Sequence, residues 1–272
     1  MRVFNTRPQH QNRSWTDSLR KAGHDVVELP LLDIIPLESR EQKQAIKNCI
    51  LELDRFHALI FISQNAVDHA LNWIEDFWPQ LPVQQHCYAI GKKTEAHLRE
   101  RLAKSYGLKP SDDQAASSIE RTLASSDGMA MNSEALLELP ALKDVTGQKI
   151  LLCKGRGGRD HLQKVLSERG ADVVACELYE RRCPENAETL LREYTPNSDT
   201  DVFTVFSGET LSYLDDCLAK VGFANKAKLA TLVPGERVAQ LARQSGFGRV
   251  IVAENAGEDA MFNALQNGIA GR

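Results

Sequence analysis

No stretch of this 272-residue sequence is apolar for long enough to span a bilayer, which takes about 20 residues. The N-terminus also lacks the basic and apolar pattern of a secretory signal, so a cytoplasmic protein is expected, with no membrane partner. Metal-ligating patterns are missing as well. The six cysteines, at positions 49, 87, 153, 176, 183 and 217, include no C-x-x-C pair, and the seven histidines form neither H-x-x-x-H nor H-E-x-x-H. Such spacings bring thiolates or imidazoles onto one ion, and without them a metal enzyme is not expected. The cysteines read as reduced thiols in or beside core elements. There is no basic excess either: 33 lysines and arginines against 37 acidic residues leave a formal charge of −4, which argues against a nucleic-acid partner. The remaining composition, 42% apolar and 26% charged, is that of an ordinary globular protein, and the length suits one large or two medium domains.

What is present is organised round residues 149–182, KILLCKGRGGRDHLQKVLSERGADVVACELYERR. The apolar run 150–153 is followed by Gly155, Gly157 and Gly158, which allow a sharp turn and a close approach of backbone to an anion. His161, Leu162, Val165 and Leu166 then recur at helical spacing up to Gly170, and 172–176 reads as the next strand. This is a βαβ unit. The N-terminal RVFNTRPQHQNRSWTDSLRKAGHDVVEL repeats it without a gap: Val3 matches Ile150, Arg7 matches Lys154, Leu19 matches Leu166, Gly23 matches Gly170, and Asp25-Val26-Val27 matches Asp172-Val173-Val174. FISQNAVDHAL from Phe61 and VFSGETLSYL from Val205 form a second matching pair, and Ser63 precedes Gly91 by the same spacing as Ser207 precedes Gly235.

Two copies of one α/β unit are therefore present, and their order implies that one is inserted into the other. The expected domains are a discontinuous one, 1–35 with 178–272, and an inserted one, 36–177, joined through extended connectors at 30–36 (PLLDIIP) and 177–184 (ELYERRCP). Strands are expected at 3–6, 25–29, 58–62, 87–90, 150–153, 172–176, 202–206, 229–233 and 250–253. Helices alternate with them, including 66–77, 94–102 and 133–139 with Ser133 as N-cap, and a short one at 117–123 in the Ser-, Asp- and Ala-rich stretch 109–128. This alternation predicts an α/β fold with a parallel sheet flanked by helices in each domain. Ligands of such sheets bind beyond the carboxyl ends of the strands, and both domains are expected to present that edge to a shared cleft.

At those ends stand Thr6 and Arg7; Ser63, Gln64 and Asn65; Gly91 to Thr94; Lys154, Gly155 and the residues to Arg159; Ser207 and Gly208; and Gly235 to Arg237. Small residues that expose N–H groups, hydroxyls at helix starts and scattered bases together suit an anion site. Each also has a plainer role. Ser63, Thr94 and Ser207 would serve as N-caps in any α/β protein, and Arg7 and Lys154 could be solvated strand ends. The Gly155-Arg-Gly-Gly turn is neither G-x-G-x-x-G nor a P-loop, so it makes a weak nucleotide signal. Tyr179 lies on a connector among Glu177, Glu180, Arg181 and Arg182, where its phenol either faces the cleft or packs the hinge.

RVFNTRP, FISQNAV, YAIGKKT, NSEALLELPAL, KILLCKGRGGRDHL, LSERGADVVACELYERR, the Ser207-Gly208 turn and GERVAQLA, taken in order, resemble the uroporphyrinogen-III synthase family of proteobacterial type. The resemblance implies two α/β domains joined by a two-stranded connector, with substrate held in the cleft. It implies a cyclising lyase that closes hydroxymethylbilane, a linear tetrapyrrole, with inversion of the last ring and loss of water, and without a cofactor. It makes Tyr179 the tyrosine proposed to assist departure of the hydroxyl, with Thr94, Ser63 and Ser207 at hydroxyl-bearing turns. The remaining expected substrate contacts are Arg7, Asn65, Gly91, Lys154, Gly155, Gly208 and Arg237. Some family members carry threonines at the last turn, where this chain has Glu236 and Arg237, and the segment 114–130 looks longer than usual. The expected partners are the tetrapyrrole substrate and, transiently, hydroxymethylbilane synthase; nothing requires a dimer, so a monomer is expected. The alternative is a non-catalytic two-domain module that binds an anionic small molecule.

Overall fold

A computed structural model describes residues 1–82, 85–106, 133–158 and 160–270. The chain forms two compact units, Met1–Asp33 with Arg182–Arg272, and Ile34–Arg181. β1 (Arg2–Asn5), α1 (Arg13–Lys21) and β2 (Asp25–Glu28) open the first unit. The chain passes through β3 (Asp33–Pro36) into the second unit, which continues as α2 (Arg40–Leu51), β4 (Ala58–Phe61), α3 (Gln64–Phe77), β5 (His86–Ala89) and α4 (Lys92–Tyr106). Next come α5 (Ser133–Leu137), α6 (Pro140–Lys143), β6 (Lys149–Gly155), α7 (His161–Glu168) and β7 (Asp172–Arg182). The first unit is completed by α8 (Ala187–Tyr194), β8 (Asp201–Thr204), α9 (Gly208–Lys220), β9 (Ala230–Pro234), α10 (Glu236–Gln244), β10 (Arg249–Ala253) and α11 (Glu258–Ala270). The helix expected at 117–123, the segment 114–130 and Arg159 lie outside the described residues.

Each unit holds a five-stranded sheet, ordered β10-β9-β8-β1-β2 in the first and β3-β7-β6-β4-β5 in the second. β1 pairs in parallel with β2 and β8, and β9 with β8 and β10. In the second sheet β4 pairs in parallel with β5 and β6, and β6 with β7. The apolar runs read in the sequence are continuous because both faces of these strands are covered, and successive side chains go to opposite faces. On β4, Leu59 and Phe61 join the core built with α2, α3 and α4, while Ala58 and Ile60 join the core built with α5, α6 and α7. In the first unit Phe4 of β1 and Phe203 of β8 stack with ring centroids 4.3 Å apart under α8, α9 and α10. Their neighbours Val3 and Val202 face the opposite core with Trp15 of α1 and Met261 of α11.

Three boundaries differ from expectation for identifiable reasons. The strand expected to end at residue 176 runs on as β7 to Arg182, because β6 keeps pairing with it beyond a register shift at Lys154/Gly155, so that Gly155 faces Tyr179. Leu37 N–H also donates to Leu178 C=O at 3.3 Å just beyond β3. The helix expected to begin at Thr94 begins at Lys92, since Gly91 at φ +90° turns the chain directly out of β5 into α4. Ser133 lies in the first turn of α5 rather than before it. Serine caps mark other helix starts: Ser39 closes a reciprocal capping box with Gln42 on α2, and Ser63 and Ser207 cap α3 and α9.

Leu151 on β6 is completely buried in the core shared with α2, α3 and α4. Leu151→Ala is expected to cost about 2–5 kcal/mol of unfolding free energy in urea. A loss below about 1 kcal/mol would be at odds with a close-packed strand at that position.

Candidate functional site

In the inserted unit the carboxyl edge is built round Tyr179. Its ring lies so close to Gly155 that a Cβ there would sit 2.5 Å from Cε2 and 2.7 Å from Cζ. Glycine is thus dictated by the neighbouring ring rather than by an unusual φ. Arg156 N–H donates to Tyr179 C=O at 2.7 Å, and the His69 ring stacks on the phenol at 5.3 Å between centroids and 24° between planes. The ring is completely buried, so of the two readings of this connector tyrosine it follows the packed one. The acidic and basic neighbours are also committed: Arg156 pairs with Glu177 at 3.6 Å and Glu180 at 3.2 Å, and Arg181 Cζ lies 5.8 Å from the Tyr179 ring centroid.

The Tyr179 hydroxyl meets Ser63 Oγ at 2.9 Å, its one hydrogen-bond partner among the described residues. Ser63 Oγ also accepts from Ala66 N–H at 3.1 Å as the N-cap of α3. A buried phenol hydrogen without an acceptor would cost about 1–3 kcal/mol, so Tyr179 donates and Ser63 accepts. A serine hydroxyl has two acceptor positions and one hydrogen. Both acceptor positions are then filled, and the Ser63 hydrogen is left for a third group. The buried tyrosine thereby reaches the edge only by way of the half-buried serine.

The other expected residues divide into structural and open ones. Lys154 is buried, with its Nζ 2.7 Å from Asp160 Oδ1 and 3.5 Å from Gly158 C=O, so the glycine turn wraps its ammonium. Thr94 is buried in the first turn of α4, Asn65 stands half-exposed in the first turn of α3, and Gly91 makes the turn before α4. Lys92 and Lys93, exposed beside Gly91, form no ion pair among the described residues.

In the first unit Arg7 donates to Glu258 Oε1 at 2.7 Å and to Ala256 C=O at 3.3 Å, with its Cζ 4.0 Å above the Phe206 ring. Burial lowers its pKa, and the Glu258 charge opposes that shift. Ser14 donates to the other Glu258 oxygen at 2.8 Å, so Arg7 ties the loop after β1 to the start of α11. Thr6 is buried and donates to Thr204 C=O at 2.7 Å. Ser207 accepts from Thr210 N–H at 3.1 Å and lies 2.9 Å from the Thr210 hydroxyl; a Cβ on Gly208 would lie 3.2 Å from Leu241 Cδ1. After Gly235, at φ +88°, α10 starts with no side-chain cap. Glu236 is held by Arg243 at 2.5 Å, which leaves Arg237 exposed and without an ion pair among the described residues. Open first-turn N–H groups with an exposed guanidinium are suited to a carboxylate.

Sequence reasoning passed over His69 and Glu258. His69 is half-buried, and desolvation lowers its pKa, with Asp68 opposing, which favours the neutral imidazole against Tyr179. Its signal was its place beside the apolar stripe of α3 formed by Ala66, Val67, Ala70 and Leu71. Glu258 left no signal, because its partner lies at the other end of the chain. No group of three or more metal-binding side chains occurs among the described residues.

The fold is that of a discontinuous α/β protein of two parallel-sheet units with hydroxyl- and glycine-bearing carboxyl edges. The family profile described as Uroporphyrinogen-III synthase HemD matches residues 13–263. Uroporphyrinogen-III synthase of Escherichia coli K12 is 30% identical over 275 residues, covering 98% of this chain and 100% of that one. The Salmonella typhimurium protein of the same name is 29% identical over 271 residues, again covering 98% of this chain and 100% of the relative. Among solved structures, a mutant uroporphyrinogen III synthase from Thermus thermophilus aligns with a TM-score of 0.61 at 15% identity, and that from Helicobacter pylori 26695 with 0.57 at 14%; both alignments cover 100% of each chain. The chain belongs to the uroporphyrinogen-III synthase family.

The hydroxyl pair can be tested by stability alone. Ser63→Ala removes a cap worth about 1 kcal/mol and orphans a buried phenol at about 1–3 kcal/mol. In a Tyr179→Phe background the same change is expected to cost only the cap. Urea unfolding of the four proteins measures the difference, and equal costs in both backgrounds would show that the two hydroxyls are not coupled.

Proposed function

We propose that this protein cyclises hydroxymethylbilane to uroporphyrinogen III, inverting the last pyrrole ring and releasing water. The observation that carries this reading is the family match from residue 13 to residue 263, with relatives aligned over their whole length. The family reaction uses no cofactor, so the chemistry falls to the side chains and backbone of the two edges.

Ser63 and Tyr179 assist the first step. With both Ser63 acceptor positions occupied, its hydrogen is donated to the hydroxyl that leaves the substrate, and Tyr179 supports the serine oxygen from behind. The leaving group departs as water, the pyrrole N–H releases the proton that restores Ser63, and the azafulvene that remains is electrophilic. A dry, fixed environment matters at that stage, because ring closure in free solution gives the unrearranged isomer. His69 and Gly155 hold the phenol in place without touching substrate.

Each pyrrole of the substrate carries an acetate and a propionate, so binding is chiefly recognition of carboxylates. Arg237 with the uncapped start of α10, and Lys92 and Lys93 at the start of α4, supply open donors and charge. Gly91 and Asn65 in one unit, and Ser207 and Gly208 in the other, stand at the carboxyl ends of their own strands. Thr94 backs the α4 turn from within. Arg7 and Lys154 contribute indirectly: each is neutralised by a carboxylate and shapes its loop. By the same reading the protein works as a cytoplasmic monomer on substrate received from hydroxymethylbilane synthase after transient contact.

A coupled assay tests the function: porphobilinogen and its deaminase are incubated with and without this protein, and the oxidised uroporphyrin isomers are separated. The expected result is a shift from type I to type III; type I alone, with folded protein that still binds the bilane, would support the anion-binding module. Arg237→Glu is expected to raise KM roughly tenfold, the loss of one charge-assisted hydrogen bond, with little change in Tm. Arg7→Glu and Lys154→Glu should instead lower Tm, since each places like charges together inside a loop.

A further inference from the structure

Cys183 and Cys217 have no part in the chemistry above, yet their sulfurs lie 3.5 Å apart. Cys183 is the first residue after β7 and is half-buried; Cys217 is in α9 and buried. A disulfide has an S–S length of about 2.05 Å, so closure asks the two sulfurs to approach by roughly 1.5 Å. Both pack against the same core, beside Ala187, Leu191 and Leu214. The hydrogen bond between them lowers the Cys217 thiol pKa and raises that of Cys183. The nearby Lys220 and Glu188 charges are paired with each other at 2.9 Å.

We propose that Cys183 and Cys217 form a reversible disulfide that fastens the segment leaving β7 to α9, the helix whose N-cap is Ser207. The oxidant is a small-molecule disulfide of the glutathione type. Cys217, with the lowered pKa, loses its proton to solvent; Cys183, the more accessible sulfur, hands its own proton to Cys217 as it attacks one sulfur of the oxidant, and Cys217 releases that proton to solvent in turn. The oxidant's S–S bond breaks, and the first thiolate leaves. Cys217 thiolate then attacks the Cys183 sulfur of the mixed disulfide and expels the second. Two protein thiols and one disulfide thereby become one protein disulfide and two small thiols. The bond closes the loop between residues 183 and 217, which limits the unfolded chain and stabilises the folded unit. A second interacting pair, Cys49 and Cys176, belongs to the inserted unit.

The test treats the full chain with oxidised glutathione, blocks remaining thiols by alkylation, and maps linkages by peptide mass spectrometry beside a thermal melt. The expected result is a Cys183–Cys217 linked peptide, a higher Tm, and reversal of both by dithiothreitol. Cys183→Ser and Cys217→Ala should each abolish the linkage. A lasting glutathione adduct on Cys183, a linkage formed only between Cys49 and Cys176, or linkage with no rise in Tm would overturn the proposal. The wild-type arm decides it even where a variant fails to fold.

Discussion

The contact of the Tyr179 ring with Gly155, and of its hydroxyl with Ser63, is the constraint on which the inserted unit's carboxyl edge depends. Tyr179 comes from β7, Gly155 ends β6, and Ser63 caps α3. One side chain thus bears on how β6 ends and how α3 begins. Any side chain at position 155 would displace the ring, and loss of the ring would leave the register shift at Lys154/Gly155 without the group it accommodates. Burial of the phenol is what makes its hydrogen bond consequential. In water a hydroxyl exchanges partners at little cost, whereas a buried one forces its acceptor to stay in place.

A second constraint governs charge. Of the cations expected to bind substrate, Arg7 and Lys154 are desolvated and paired with Glu258 and Asp160, so their favourable electrostatics are already committed within the protein. Pairing converts them from binding groups into loop anchors. Arg7 gains further from the Phe206 ring beneath its guanidinium. The exposed cations, Arg237 at α10 and Lys92 and Lys93 at α4, retain hydration and freedom and can meet a flexible polycarboxylate at modest cost. Matched positions in the two repeats therefore do similar structural work, while the exposed cations stand two strands further along each sheet, after β9 and after β5.

Much of the fold was legible because both sheets are parallel and covered on two faces. Continuous apolar runs such as ALIF at Ala58–Phe61 can only be central strands when glycine turns and helical stripes flank them. Internal repetition added what periodicity could not, since it revealed the order of the two units along the chain. Hydroxyl positions were legible where local, as Ser63 and Ser207 were from their place before helices. Thr94 was less so, because Gly91 starts the helix two residues earlier and turns the threonine inward. The burial of Tyr179 was hidden for a different reason. Its sequence neighbours are charged, so the pattern left open whether the phenol faces a cleft or packs the hinge, and only the pairing of β7 with β6, with its register shift opposite Tyr179, places the ring inside beside Leu178. Long-range partners such as Glu258 for Arg7 leave no local trace.

The central claim is that a buried tyrosine acts on the substrate through a serine. Single-turnover rates of hydroxymethylbilane cyclisation for the wild type, Tyr179→Phe, Ser63→Ala and the double variant test it most directly. Residues that act as one unit lose their effect together. The account predicts that each single change slows the reaction and that the double is no slower than the slower single. Slowing in the double equal to the product of the two singles, or an unchanged rate in Tyr179→Phe, would contradict it.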